Sequence, residues 1–205
     1  MRIIVTTYLS LDGVMQAPGG PGEDPDGGFR FEGWQAPFED EELGRWIPEQ
    51  MAAVSGFLLG RRTFDIFAGH WPRMPDDQYS NPLNTKPKHV VSTTLDPADV
   101  TWGPTTVHRS VDDVRALKDE GDGDLLVWGS SVLVHALAAE DLVDEYHLWT
   151  YPVLLGPGKR LFDGGAAPRT FELVHARSTG AGSVYSRLRR AGEVQTGSFP
   201  TPDDT

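Results

Sequence analysis

Apolar residues recur along this chain in short runs, and the period of each run predicts its element. In residues 2–11, Ile3, Val5, Thr7 and Leu9 share one side, while Ile4, Thr6, Tyr8 and, past the strand's end, Leu11 lie largely on the other. Both sides are mostly apolar, which predicts a central strand covered on both faces. Residues 54–59 and 125–128 are apolar runs of strand length, each followed by small residues and then a helical pattern. Residues 88–94 and 105–108 predict shorter strands, and 144–155 a longer one with Tyr146, Leu148 and Thr150 on one face. Helices are predicted over 38–51, where Pro48 should kink or end the helix, from Thr63 onward, from a Ser110 cap through Lys118, and over 132–139. Residues 70–88, rich in Pro and Asp, read as a loop. Residues 171–177 and 183–190 predict a hairpin turning at 179–182. The order βαβ, βαβ, β and hairpin predicts an α/β fold. Its mainly parallel mixed central sheet carries helices on both faces and ends in a C-terminal antiparallel hairpin.

One stretch breaks the alternation. Residues 16–37 are rich in Gly and Pro yet carry Phe29, Phe31 and Trp34. Two readings fit: a lid lowering aromatic rings onto a flat ligand, or a segment whose rings cover the core or a dimer interface. The remaining pattern predicts a single domain over 1–190 and a loose acidic tail over 191–205.

Charge and composition narrow the function. Lys and Arg number 18 against 30 Asp and Glu, a net charge of −12. Non-specific nucleic-acid binding needs a basic face, so no nucleic-acid partner is expected. An acidic protein that holds an anion must concentrate its few arginines at the site. There is no cysteine, hence no disulfide, thiolate metal site or cysteine nucleophile, which fits a cytoplasmic location. No apolar run approaches the ~20 residues of a membrane span, and the N-terminus lacks the pattern of a signal peptide. The six histidines show no pair at ligand spacing, so no metal is expected. A G-x-S-x-G elbow, a Rossmann fingerprint after the first strand and a Walker loop are all missing.

What remains is a pair of strand-to-helix junctions. Gly60-Arg61-Arg62-Thr63 follows the run 54–59. Gly60 permits close backbone approach, Thr63 can cap the helix, and the free N–H groups with two arginines beside them make an anion site. The plainer alternative is an ordinary turn with two solvated arginines. Gly129-Ser130-Ser131 repeats the arrangement after 125–128. Asp12, at the mouth of the first strand, is either a turn former or an acid at the ligand edge of the sheet.

Three stretches together resemble the dihydrofolate reductase superfamily. Leu59-Gly60-Arg61-Arg62-Thr63-Phe64 is similar to its Gly-Arg-x-Thr-aromatic motif, Val91-Ser92-Thr93-Thr94 to its adenosine-side strand end, and Val127-Trp128-Gly129-Ser130-Ser131 to its Gly-Gly pyrophosphate turn. Ser10-Leu11-Asp12-Gly13 is closer to the bacterial riboflavin-biosynthesis reductase domain and its uncharacterised relatives. The resemblance implies an NADPH site. Arg61 and Arg62 would meet the 2′-phosphate, Thr63 the pyrophosphate, Ser92 and Thr93 the adenosine phosphate, and Gly129, Ser130 and Leu133 the other side of the pyrophosphate. The nicotinamide would lie near Thr7, Tyr8 and Asp12, with Asp12 or a water it orients supplying the proton. Phe31, Trp34 and Phe38 would cover a substrate lying against Tyr8. Two departures stand out: Ser130 replaces the second glycine, and no acid in Phe38-Glu39-Asp40-Glu41-Glu42 matches the carboxylate that grips a pterin. The expected activity is hydride transfer to a small planar C=O or C=N substrate, pterin-like or ribosylaminopyrimidine-like, by a homodimer. The alternatives on the same fold are a non-catalytic ligand-binding module and a homodimeric interaction protein.

Overall fold

A computed structural model describes residues 1–199. The chain runs β1 (Arg2–Ser10), α1 (Glu41–Ala53), β2 (Gly56–Gly60), α2 (Arg61–His70), α3 (Ser80–Thr85), β3 (Lys88–Val91) and β4 (Thr105–His108). It continues through α4 (Val111–Glu120), β5 (Asp124–Trp128), α5 (Ser131–Ala139), β6 (Glu145–Tyr151), β7 (Thr170–Ser178) and β8 (Val184–Gly192). The strands form one sheet in the order β4-β3-β2-β5-β1-β6-β8-β7. All pairs among β1 to β6 are parallel; β8 lies antiparallel to both β6 and β7. The α/β architecture with a C-terminal hairpin thus follows the hydrophobic pattern.

The continuous apolar strands are buried on both faces, as their sequence requires. Ile4, Phe57, Leu59 and Leu126 face a core shared with Leu43, Ile47 and Met51 of α1, Phe64 of α2 and Leu83 of α3. Ile3, Val5, Leu58, Leu125 and Val127 face a second core with Val114 of α4 and Leu133, Val134 and Leu137 of α5. Alternate residues of one strand therefore serve opposite cores.

Several boundaries differ from expectation, each for a local reason. α1 starts at Glu41, because Asp40 caps it by accepting the Leu43 N–H at 2.9 Å. It runs through Pro48 to Ala53. Proline leaves the carbonyl four residues back without its helical donor. Here that carbonyl, on Gly44, accepts the Tyr79 hydroxyl at 3.0 Å and Gln78 Nε2 at 3.3 Å instead. The expected loop over 70–88 contains α3. β6 stops at Tyr151, just before Pro152, short of the predicted Leu155. β8 extends to Gly192, so the predicted tail begins later; residues 193–199 carry no helix or strand, and 200–205 lie outside the described residues. Among the described residues, no helix is long and apolar enough to cross a membrane.

Candidate functional site

β2 and β5 are parallel neighbours, with Phe57 opposite Leu126. Their C-terminal ends lie side by side; the two helices that begin there pack on opposite faces of the sheet, so it is their starts that meet. The bends are bonded to each other. Thr63 Oγ1 accepts the Ser130 N–H at 2.9 Å, and Ser130 Oγ accepts the Gly60 N–H at 3.0 Å while donating to the Trp128 carbonyl at 3.1 Å. Thr63 therefore does not cap α2, as its position suggested. Gly60 is the N-cap residue, and the Thr63 hydroxyl is spent on the neighbouring bend.

Backbone geometry explains the residues of the second bend. Gly129 and Ser130 both adopt left-handed conformations, with φ of 61° and 60°. A Cβ on residue 129 would lie 3.3 Å from Thr63 Cγ2 and Oγ1, so space and conformation both call for glycine. Ser130 bears the left-handed cost, roughly 1–2 kcal/mol for a residue with a Cβ. The two hydrogen bonds of its hydroxyl offset that cost, each worth about 1 kcal/mol. Gly60 has no such requirement: its φ is −76°, and a Cβ there would make ordinary 3.5 Å contacts with Leu133 and Ser130.

Neither α2 nor α5 has a side-chain cap at its start. Their first-turn N–H groups stay available to an anion. Both starts border one cavity of about 470 Å³. Because β3, β2, β5 and β1 are consecutive in the sheet, the same cavity receives Ser92 and Thr93 from beyond β3 and Thr7 and Tyr8 from β1. All nine residues expected to hold a dinucleotide (Gly60, Arg61, Arg62, Thr63, Ser92, Thr93, Gly129, Ser130 and Leu133) line it, together with Tyr8. Ser92 Oγ accepts the Leu95 N–H at 3.0 Å and so holds the turn after β3. Burial pushes the Tyr8 phenol well above its ordinary range, so it stays protonated.

The aromatic residues of the 16–37 segment and Asp12 lie elsewhere. Phe31, Trp34 and Phe38 are not among the cavity residues. Trp34 and Phe38 pack around the fully buried Tyr151, each with ring centroids 5.6 Å from it, and Trp34 Nε1 donates to the Gln16 carbonyl at 2.8 Å. Phe31 rests edge-on against the buried Phe29 at 6.0 Å. Trp34 and Phe38 join the core and the half-exposed Phe31 rests on Phe29, so this is the core-covering reading of the segment in place of the expected role over a substrate. Asp12 is also outside the lining. Its carboxylate accepts the Ser10 hydroxyl at 2.6 Å and the N–H groups of Leu155 and Gly156 at 3.2 and 2.8 Å, tying the end of β1 to the turn after β6. The Ser10 bond leads a set that outweighs burial and lowers its pKa to about 2. A group so placed and so acidic is a turn former, and the expected proton-donor role is withdrawn.

The 16–37 segment reaches the cavity through other residues: Gln16, Ala17, Pro18, Glu23 and Asp24 line it, as does Lys159. Glu23 Oε2 accepts the Gly19 and Gly20 N–H groups at 2.6 and 3.3 Å; burial raises its pKa against those two bonds. Asp24 pairs with Arg62 at 2.7 Å and with Lys159 at 2.7 Å. Sequence reasoning missed this set. Asp24 and Lys159 are 135 residues apart, and an acidic residue in a Gly/Pro-rich stretch reads as solvated. Among the described residues, no group of three or more His, Cys, Asp or Glu could hold a metal ion.

Comparison with known proteins identifies the family and the fold. The RibD C-terminal domain family matches residues 1–185. The uncharacterised protein YyaP of Bacillus subtilis (strain 168) is 26% identical over 191 residues, covering 89% of this chain and 92% of YyaP. The crystal structure of a protein assigned to riboflavin biosynthesis from Shewanella sp. PV-4 superposes with a TM-score of 0.65 at 23% identity, covering 93% of this chain and 99% of that one. Dihydrofolate reductase from Enterococcus faecalis, in a complex with NADP(H), superposes with a TM-score of 0.58 at 16% identity, covering 92% and 96%. The fold is that of the dihydrofolate reductases.

Proposed function

The chain belongs to the RibD C-terminal domain family, and on that premise we propose that it is an NADPH-dependent reductase acting on a small planar C=O or C=N substrate, pterin-like or ribosylaminopyrimidine-like. The observation that carries the reading is the meeting of two uncapped helix starts, α2 and α5, on one cavity beside Arg61. Free N–H groups from two directions suit the doubly charged middle of a dinucleotide, and a cation beside one of them suits a further phosphate. The donor set therefore fits the cofactor. When bound, NADPH supplies a hydride.

The chain's own residues divide the work. The N–H groups at the starts of α2 and α5 hold the pyrophosphate, with the Thr63–Ser130 bond keeping the two starts in register. Arg61 meets the 2′-phosphate; its partner in the free protein is Asp65, an exposed i,i+4 pair at 2.7 Å that a phosphate can displace. Thr93 and the turn held by Ser92 flank the adenosine side. Tyr8, Thr7 and Trp128 form the floor of the acceptor half. The acid of that half is Glu23, which lines the cavity and whose pKa burial raises, whereas Asp12 lies outside the cavity with its pKa held low by its hydrogen bonds.

Thermal unfolding with and without dinucleotide tests the reading. NADPH should raise the melting temperature more than NADH; at a hundredfold excess over Kd the stabilisation is about 2.7 kcal/mol. Equal shifts, or none, overturn it.

A further inference from the structure

The two arginines that share the cavity wall are not equivalent. Arg61 has one exposed partner on its own helix. Arg62 reaches off its helix to two carboxylates of the 16–37 segment, Asp24 at 2.7 Å and Asp26 at 3.2 Å. Lys159 meets the same two carboxylates at 2.7 and 3.0 Å. Two cations and two anions thus form a closed, neutral ring. Asp24 is its inner member, with a side chain only 11% exposed.

The carboxylates are presented by the segment itself. Gln16, 4% exposed, donates Nε2 to the carbonyls of Asp24 and Asp26, at 2.9 Å each, and its Oε1 accepts the Lys159 N–H at 3.0 Å. Glu32 accepts the N–H groups of Gly22 and Asp24 at 2.9 Å each. The segment is therefore shaped and anchored from the Lys159 side. Arg62 reaches the same two carboxylates from α2 and so attaches the segment to that helix.

Resting on the reductase reading, we propose that Arg62 is a positioning residue rather than a cofactor ligand: it fastens the segment 16–26 to α2 through Asp24 and Asp26, and so sets the acceptor-side wall formed by Gln16, Ala17, Pro18 and Glu23. Moving Arg62 to a ligand phosphate would leave the nearly buried Asp24 carboxylate with one cation in place of two. Breaking such a partly buried arrangement is costly, whereas the exposed Arg61–Asp65 pair is given up at little cost. The phosphate goes to the arginine that is cheap to release, and the strap keeps the other.

Hydrogen exchange over residues 16–34 tests this together with dinucleotide selectivity, in Arg62→Gln, Arg62→Lys, Asp24→Asn and Arg62→Gln/Asp24→Asn. Arg62→Gln and Asp24→Asn should each speed exchange of the segment by about tenfold, Arg62→Lys by less than about threefold, and the double variant no more than the faster single one. The preference for NADPH over NADH should survive in Arg62→Gln to within about threefold. Unchanged exchange in Arg62→Gln, or additive effects in the double variant, overturns the fastener. Loss of the NADPH preference in Arg62→Gln makes Arg62 a phosphate ligand and also overturns it. Should the wild-type protein bind neither dinucleotide, the reductase reading fails, and the exchange comparison alone decides the fastener.

Discussion

The Ser130 backbone N–H donates to the Thr63 hydroxyl oxygen at 2.9 Å, across 67 residues of sequence. The bond locks the start of one helix to the bend before another. Both residues line the cavity, so the fold and the proposed cofactor site share this contact.

Thr63→Val removes the acceptor and leaves the Ser130 N–H unpaired in a part-buried position. Unfolding free energy should fall by about 1–3 kcal/mol, the cost of stranding a donor. Thr63→Ser, which keeps the oxygen, should lose less. Urea denaturation of the three proteins measures both differences.

Arg61→Gln tests the cation assigned to the 2′-phosphate. A hydrogen bond to a charged group is worth roughly 1.5–3 kcal/mol, so NADPH affinity should fall by roughly tenfold or more. NADH affinity, which lacks that contact, should hold. Fluorescence titration with each dinucleotide gives the ratio.

Trp34→Ala separates a core ring from a lid ring. Trp34 is 7% exposed and packs against Tyr151. Its truncation should cost about 3–5 kcal/mol of stability, as for other buried aromatic residues. Phe31→Ala, at a ring 46% exposed, should cost much less. Chemical denaturation compares them; equal small losses would restore the lid.

Asp12→Asn should show itself in the acid limb of stability rather than in turnover. The folded pKa of Asp12 lies at about 2, below its ordinary 3.8, chiefly through the Ser10 hydroxyl. A depressed pKa means that the carboxylate contributes stability at pH values above the ordinary one. That contribution is lost as pH falls toward the folded value. Asp12→Asn should therefore be less stable than wild type at pH 7, with the gap closing between about pH 4 and pH 2. Urea midpoints at pH 7, 4 and 2.5 trace it. If a reductase substrate is found, kcat should be nearly unchanged in Asp12→Asn and lowered in Glu23→Gln.

The periodic features of this chain could be read before any coordinates. Runs such as 54–59 and 125–128 are too apolar to face water on either side, so they imply parallel strands between two helical layers. Glycine followed by a helical pattern marks where a strand stops and where free N–H groups point. Those are local properties of backbone and side chain, and they hold wherever the segment lies. That is why Gly60–Thr63 and Gly129–Ser131 were each legible, from their own few residues, as bends from a strand into a helix with free N–H groups.

The adjacency of those bends does not follow from either stretch alone; it was expected only through the family resemblance, because it depends on β2 and β5 being neighbours in the sheet. Nor were the partners of long polar side chains. Thr63 looked like a helix cap and serves the neighbouring bend; Asp12, open between acid and turn former, holds a turn; Trp34, open between lid and core cover, packs in a core around Tyr151. Arg62 and Lys159 find Asp24 only once the whole chain has folded. Periodicity settles which face of a segment is buried, since burial follows from the segment's own composition. Which charge meets which is settled by contacts between residues far apart in sequence, and only tertiary structure brings those together.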